Sequence, residues 1–176
     1  MESKGLMHLY HGDGKGKTTA AAGLALRAAA AGRRVVFVQF FKNGLSGEVR
    51  LLSENPNVEV IAGVTSGRFF WEMDDAEKAE TRVLHDSHVE AATKLIMSGE
   101  ADFLVFDELL SAWNQNMVDH DAVLTLLDGR PEAVEVCITG RGPAQELIDR
   151  ADYITNMVLE RHPFEQGIPA RRGIEF

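Results

Sequence analysis

A chain of 176 residues with 45% hydrophobic and 26% charged residues has the make-up of one soluble globular domain, 1–176, large enough for a proper core. The formal net charge of −9 disfavours a nucleic-acid partner, because such binding is driven by neutralising phosphates, and the basic pairs Arg33-Arg34 and Arg171-Arg172 do not extend into a stripe. The single cysteine, Cys137, excludes an internal disulfide and a thiol cluster for a metal. No apolar run approaches the roughly 18 residues of a membrane span, and Met1 stands so close to the first strand that no signal peptide is expected. The expectation is a cytoplasmic protein with no membrane partner.

The chain opens on LMHLYHGDGKGKTTAAAGLALRAAAA (6–31), an apolar strand, a glycine-rich turn and a helix of small residues. The turn runs Gly12, Asp13, Gly14, Lys15, Gly16, Lys17, Thr18, Thr19. Its glycines let successive N–H groups point at one anion, Lys17 adds a mobile positive charge, and the Thr18 hydroxyl can ligate a magnesium ion. The helix that follows (20–31) aims its positive dipole end at the same spot, and Gly32 ends it. The usual phosphate-loop pattern has glycine where this chain has His11. The strand-to-helix context nevertheless reads as a nucleotide phosphate cradle.

Residues 34–41 form an apolar strand, of the kind buried on both faces of a parallel sheet. A polar loop (42–47), a short helix (48–54) and a third strand (57–61) follow. The stretch 63–75 has no period and carries Phe69, Phe70 and Trp71 in a row. A long helix is expected over 74–98, with Val83, Ala91, Leu95 and Ile96 as its buried stripe and Gly99 as its stop. Next come a strand at 102–106 that ends in Asp107-Glu108, a helix at 119–127, and a strand at 133–139. The turn 140–143, a short helix (144–150) and a strand (152–157) precede a Pro-, Gly- and Arg-rich tail that should lie over the surface. Alternating strands and helices give an α/β fold with one mostly parallel sheet and helices on both faces.

Ligands of such sheets sit at the carboxyl ends of the strands. Three polar groups fall there: the phosphate turn, Asp107-Glu108, and Thr139 with Arg141. Asp107 reads as the second half of a nucleotide site, holding Mg²⁺ directly or through water, with Glu108 polarising a water or orienting substrate. The forked donors of Arg141 suit the far end of a polyphosphate. Arg27 is a helix arginine, a type that is ordinarily solvated. Three consecutive aromatics are more often core than site, although loops lie at the surface. The six histidines read as structural, with only His11 set apart by its place in the phosphate turn, and Cys137 as an inert buried thiol.

Taken together, GDGKGKTT from 12, VQFFKNG from 38, GRFFWE from 67, FDEL from 106, ITGRG from 138 and RHPFEQGIPARRGIE from 161 resemble the ATP:corrinoid adenosyltransferases of cobalamin biosynthesis and salvage. The resemblance implies a RecA-like P-loop fold and a homodimer, served by a flavoprotein reductant. It implies transfer of the 5′-deoxyadenosyl group of ATP to a cobalt(I) corrinoid, with Mg²⁺ (or Mn²⁺) and release of inorganic triphosphate. On that resemblance Gly12 to Thr19 cradle the triphosphate, and Lys17, Glu108 and Arg141 serve catalysis. Arg27 and Arg141 contact ATP, Thr18, Asp107 and Glu108 hold the metal, and Phe69 and Trp71 pack beneath the corrin ring. Phe70 stands where some relatives carry a small polar residue. A P-loop ATPase or kinase, and a nucleotide-dependent binding module without turnover, are the competing readings.

Overall fold

The computed structural model describes residues 4–175, so Met1 and the terminal Phe176 of the expected domain lie outside the described residues. In chain order the elements are β1 (Met7–His11), α1 (Lys17–Ala30), β2 (Val35–Gln39), α2 (Gly47–Ser53), β3 (Val58–Ile61) and α3 (Asp75–Met97). They continue as β4 (Phe103–Asp107), α4 (Leu109–Asn114), α5 (His120–Gly129), β5 (Glu135–Thr139), α6 (Gln145–Ile148) and β6 (Tyr153–Asn156). Short 3₁₀ turns occupy Phe70–Glu72 and Pro163–Gln166.

The strands form one sheet in the order β3-β2-β4-β5-β1-β6, and every neighbouring pair is parallel. The two strands that feed the expected nucleotide site, β1 and β4, are therefore not adjacent; β5 lies between them. This arrangement brings the end of β5, at Thr139, between the phosphate turn and Asp107.

Alternation along the central strands divides the core in two. Leu9, Val36, Val38, Leu104, Phe106, Val136 and Ile138 face the side covered by α3, α4 and α5, where Val89, Ile96, Trp113 and Leu126 meet them. Val35, Phe37, Phe103, Val105 and Cys137 face α1 and α2, which contribute Ala21, Ala22, Ala25, Val49 and Leu52. The alanines let α1 lie close on the sheet, as its composition suggests. Burial pushes the Cys137 thiol far above the ordinary range, with Asp107 and Glu135 adding to it, so it stays protonated. Among the described residues no helix is long and apolar enough to cross a membrane.

Helix ends follow the glycines. Gly32 (φ 85°) and Gly99 (φ 73°) take the left-handed backbone that closes α1 and α3. Asp74 begins α3 with a reciprocal capping box, accepting from the Glu77 amide while Glu77 accepts from its own. The stripe expected on α3 needs correction. Val83 is exposed, and the buried face is Thr81, His85, His88, Val89, Ala92 and Ile96. Ile96 is buried and Leu95 packs against the core as expected, but Thr81, His85 and His88 on the buried face are polar, so apolar residues alone mark only its C-terminal end. Helix α4 was not anticipated either, because Leu109, Leu110, Ala112 and Trp113 are all buried and six residues show no polar stripe.

Gly140 fixes how the chain leaves β5. At φ 141° a Cβ there would lie 2.6 Å from the Leu110 Cβ on α4. Gly140→Ala is expected to destabilise the protein by about 2–3 kcal/mol, read as a lowered thermal midpoint. A midpoint equal to that of the parent would show that α4 can move away freely.

Candidate functional site

The phosphate turn is pressed against the chain leaving β6. Gly14 N–H donates to the Met157 carbonyl at 2.7 Å, and a Cβ on Gly12 would meet Asn156 Oδ1 at 2.3 Å. Gly12 (φ 107°) and Gly16 (φ 111°) both use backbone that L side chains rarely adopt. Helix α1 starts directly at Lys17 with no acidic residue in its first turn, so its positive end is not neutralised from within. Lys17 is 8% exposed, and its Nζ donates to the Gly14 carbonyl at 2.7 Å. Burial and then the neighbouring Arg141 lower its pKa, against the pull of Glu108, Asp13 and Asp107. An arriving phosphate supplies the opposite charge that such an ammonium lacks.

The C-terminal tail is tied to this turn, a contact that its lack of period did not announce. Glu175 Oε1 pairs with Lys15 Nζ at 3.2 Å and with Arg171 Nη2 at 3.0 Å. Hydrogen bonds from the Arg171 side chain and backbone, with help from Lys15, hold the Glu175 carboxyl down at about 2. The opposite flank is open, and exposed Thr19 borders an apolar groove with Gly23, Leu26 and Leu51.

Asp107 is the hub. It is fully buried at the end of β4, and four donors converge on it. Thr18 Oγ1 and Thr139 Oγ1 each donate to its Oδ1 at 2.8 Å, while Gln39 Nε2 and Lys42 Nζ each donate to its Oδ2 at 2.8 Å. Phosphate turn, β2, β4 and β5 thus meet at one carboxylate. Glu108 begins α4 in a left-handed conformation (φ 63°), with its N–H on Thr139 Oγ1 at 2.9 Å. Its Oε2 accepts from Ser111 at 2.7 Å, and its Oε1 lies 3.9 Å from Lys42 Nζ. Strained backbone of this kind costs of order 1–3 kcal/mol and gathers at functional sites.

Arg141 also reaches the turn, with Nε 3.3 Å from Asp13 Oδ1 and both side chains solvent-exposed. Asn114 holds the Arg141 carbonyl at 2.9 Å. Arg27 is not brought to the turn within this chain. It sits exposed in the last turn of α1, about 15 Å along the axis from Lys17.

The aromatic run divides its labour. Phe69 and Trp71 are 64% and 75% exposed and stack on each other at 4.7 Å, with planes 7° apart. Phe70 turns inward and meets Phe41 edge-on at 6.1 Å, with Lys78 Nζ 5.2 Å from its ring centre. Phe70 is thus the anchor that presents the other two. Phe41 has φ 57° and is held by His85, a residue that sequence reasoning treated only as structural. The Phe41 N–H donates to His85 Nε2 at 3.2 Å, so the ring proton sits on Nδ1 and is donated to the Met117 carbonyl at 3.0 Å.

Burial lowers the His85 pKa from 6.5 to about 4, against the Met117 hydrogen bond. The unfolded chain binds this proton more readily than the folded one between those values. Stability from His85 is therefore complete above pH 6.5 and lost as pH falls toward 4, by roughly 3 kcal/mol. Denaturation across that window should show the slope in the parent and its loss in His85→Gln. An equal slope in both would assign it to other groups.

A family described as ATP:corrinoid adenosyltransferase BtuR/CobO/CobP matches residues 3–176. The chain is 33% identical over 176 residues to a corrinoid adenosyltransferase of Pseudomonas aeruginosa, covering 99% of this chain and 85% of that protein. It is 33% identical over 175 residues to the corrinoid adenosyltransferase CobA of Salmonella typhimurium, covering 99% and 87%. Among solved structures, a KaiC-like protein of Pyrococcus horikoshii superposes with a TM-score of 0.58 at 18% identity, over 90% of this chain and 75% of that one, a likeness of fold. The six-stranded parallel sheet is accordingly of the RecA-like P-loop kind, and the chain belongs to the ATP:corrinoid adenosyltransferase family.

Proposed function

We propose that this chain transfers the 5′-deoxyadenosyl group of ATP to the cobalt(I) of a corrinoid and releases inorganic triphosphate. Cobalt(I) is itself the nucleophile. Its electron pair forms the bond to C5′, the C5′–O bond breaks, and that pair leaves on the triphosphate. The protein needs no activated side chain, only positioning and a sink for negative charge. Lys17, the α1 N-terminus and Arg141 supply that sink at the turn. Phe69 and Trp71 offer a flat apolar surface on which a corrin ring can rest, filling the space of its lower axial ligand.

The observation that carries this reading over an ordinary P-loop ATPase is one line of contacts. The Phe69/Trp71 stack is anchored through Phe70 on Phe41, and the next residue, Lys42, touches Thr18 and Asp107. The aromatic platform is thereby joined to the phosphate turn by two consecutive residues.

The residues fit a magnesium ion, or manganese in its place. Thr18 Oγ1 and the Asp107 and Glu108 carboxylates are hard oxygen donors, and Gln39 Oε1 lies buried beside Asp107 with no hydrogen-bond partner among the described residues. Among the described residues no group of three or more His, Cys, Asp or Glu forms a metal cage, as suits an ion that takes most of its ligands from water and phosphates. Held by Thr18, Asp107 and Glu108, such an ion would supply positive charge beside the departing triphosphate. Arg27 is assigned to ATP by resemblance alone. The reaction serves cobalamin biosynthesis or salvage in the cytoplasm, with the enzyme a homodimer and a flavoprotein supplying the electron for cobalt.

The test is an anaerobic incubation in the dark with ATP, Mg²⁺ and chemically reduced corrinoid. The expected result is the absorbance of a cobalt–carbon bond that light destroys. An unchanged corrinoid spectrum with ATP converted to ADP would instead establish a hydrolase.

A further inference from the structure

Lys42 lies within the VQFFKNG stretch but has been given no role. Its Nζ lies 2.8 Å from Asp107 Oδ2 and 3.0 Å from Thr18 Oγ1, and 3.9 Å from Glu108 Oε1. The Thr18 hydroxyl has one proton, which goes to Asp107 Oδ1, so the lone pair facing Lys42 is the one a metal would use. The ammonium therefore hydrogen-bonds two of the groups that suit a divalent cation and lies in loose ion-pair range of the third. An ion about 2.1 Å from the Thr18 oxygen leaves no room for an ammonium 3.0 Å from it. The two cations compete for one set of oxygens.

Where the ammonium can go is set by the backbone. The Phe41 N–H is held by His85, and the Lys42 carbonyl accepts from Gly63 N–H at 3.2 Å, so the main chain at this point is fixed. Only the four-carbon stem swings, and its side chain is already 33% exposed toward the mouth of the site. A triphosphate seated over Gly14 to Thr19 would be the nearest new acceptor.

We propose that Lys42 is an exchangeable counter-ion of the site: it bridges Thr18 and Asp107, yields that place to the divalent cation, and pairs instead with the triphosphate. This rests on the metal and phosphate assignments of the proposed function. The exchange makes metal and triphosphate bind cooperatively, since each gives the other's obstacle or partner a place to go. It also guards Asp107 and Thr18 against a metal ion that arrives without nucleotide.

The consequence is a pair of effects of opposite sign. Lys42→Met keeps the length of the side chain and removes the charge. Mn²⁺ binding without nucleotide, followed by electron paramagnetic resonance, should tighten by about tenfold in this variant, because a like charge has gone from its ligands. Inorganic tripolyphosphate binding at saturating Mn²⁺, where the ammonium has been displaced, followed by calorimetry, should weaken by about tenfold. Lys42→Arg retains the charge and should keep Mn²⁺ binding near the parent's. Unchanged or weaker Mn²⁺ binding in Lys42→Met overturns the exchange, as does unchanged tripolyphosphate binding, or tightening in Lys42→Arg equal to that in Lys42→Met. Asp107→Asn separates this from the underlying assignment. If Mn²⁺ still binds that variant as it binds the parent, the metal site itself is misplaced; if binding is lost there but indifferent to Lys42→Met, only the exchange fails.

Discussion

Lys17→Ala is expected to lower the efficiency of adenosyl transfer by about a hundred- to a thousandfold, the usual loss when one preorganised donor to developing negative charge is removed. The Lys17 side chain is nearly buried, yet its hydrogen bond is to a single carbonyl, that of Gly14. The ammonium contributes little to the fold and is poised for an anion. The thermal midpoint should therefore stay within a few degrees of the parent while ATP affinity and turnover both fall. Lys17→Arg should not restore them, because a wide planar guanidinium does not fit where a compact ammonium lies against the turn. Transfer and ATP affinity within about threefold of the parent in Lys17→Ala would show that Arg141 and the helix N-terminus suffice.

Trp71→Ala is expected to separate the two oxidation states of the substrate. The Trp71 ring is 75% exposed and, among the described residues, stacks on Phe69 alone, so stability should not change. Starting from a cobalt(II) corrinoid that carries its lower ligand, the rate should fall by about ten- to a hundredfold, the value of an aromatic pair with its buried area. Starting from cobalt(I), prepared chemically, the rate should stay within about threefold, since no lower ligand then needs displacing. Equal loss on both substrates would mean that the stack only binds the ring. Phe70→Ala should behave differently, lowering stability as well, because Phe70 is packed on Phe41 and covered by Lys78.

Much of this architecture was legible because local chemistry and global fold agree. The phosphate turn announces itself through glycines that must take positive φ and a lysine at the helix start. The four-residue apolar runs of β2 and β4, each closed by a polar residue, read as strands covered on both faces. Strand order was not legible, since no local signal tells that β5 inserts between β1 and β4. The hub at Asp107 depends on that order, so the role of Thr139 emerges only in three dimensions. Gln39 and Lys42 carried a signal that was open to use: polar residues at and just beyond the end of a buried strand, where ligands of parallel sheets sit. His85 carried none. A neutral imidazole within a helical stripe looks like any structural histidine until its acceptor is seen on Phe41, a residue whose own backbone strain is equally silent in the sequence.

Whether the turn presents C5′ of ATP or its terminal phosphorus is decided by the phosphate product of a single turnover. Enzyme in excess over reduced corrinoid, with ATP and Mg²⁺ in the dark, can be quenched and the phosphates resolved by anion-exchange chromatography. One inorganic triphosphate for each adenosylated corrinoid is the expected result, and it fixes both the leaving group and the polarity of ATP in the loop. ADP with orthophosphate, at any ratio to an unmodified corrinoid, would contradict it and return the site to ordinary phosphoryl transfer.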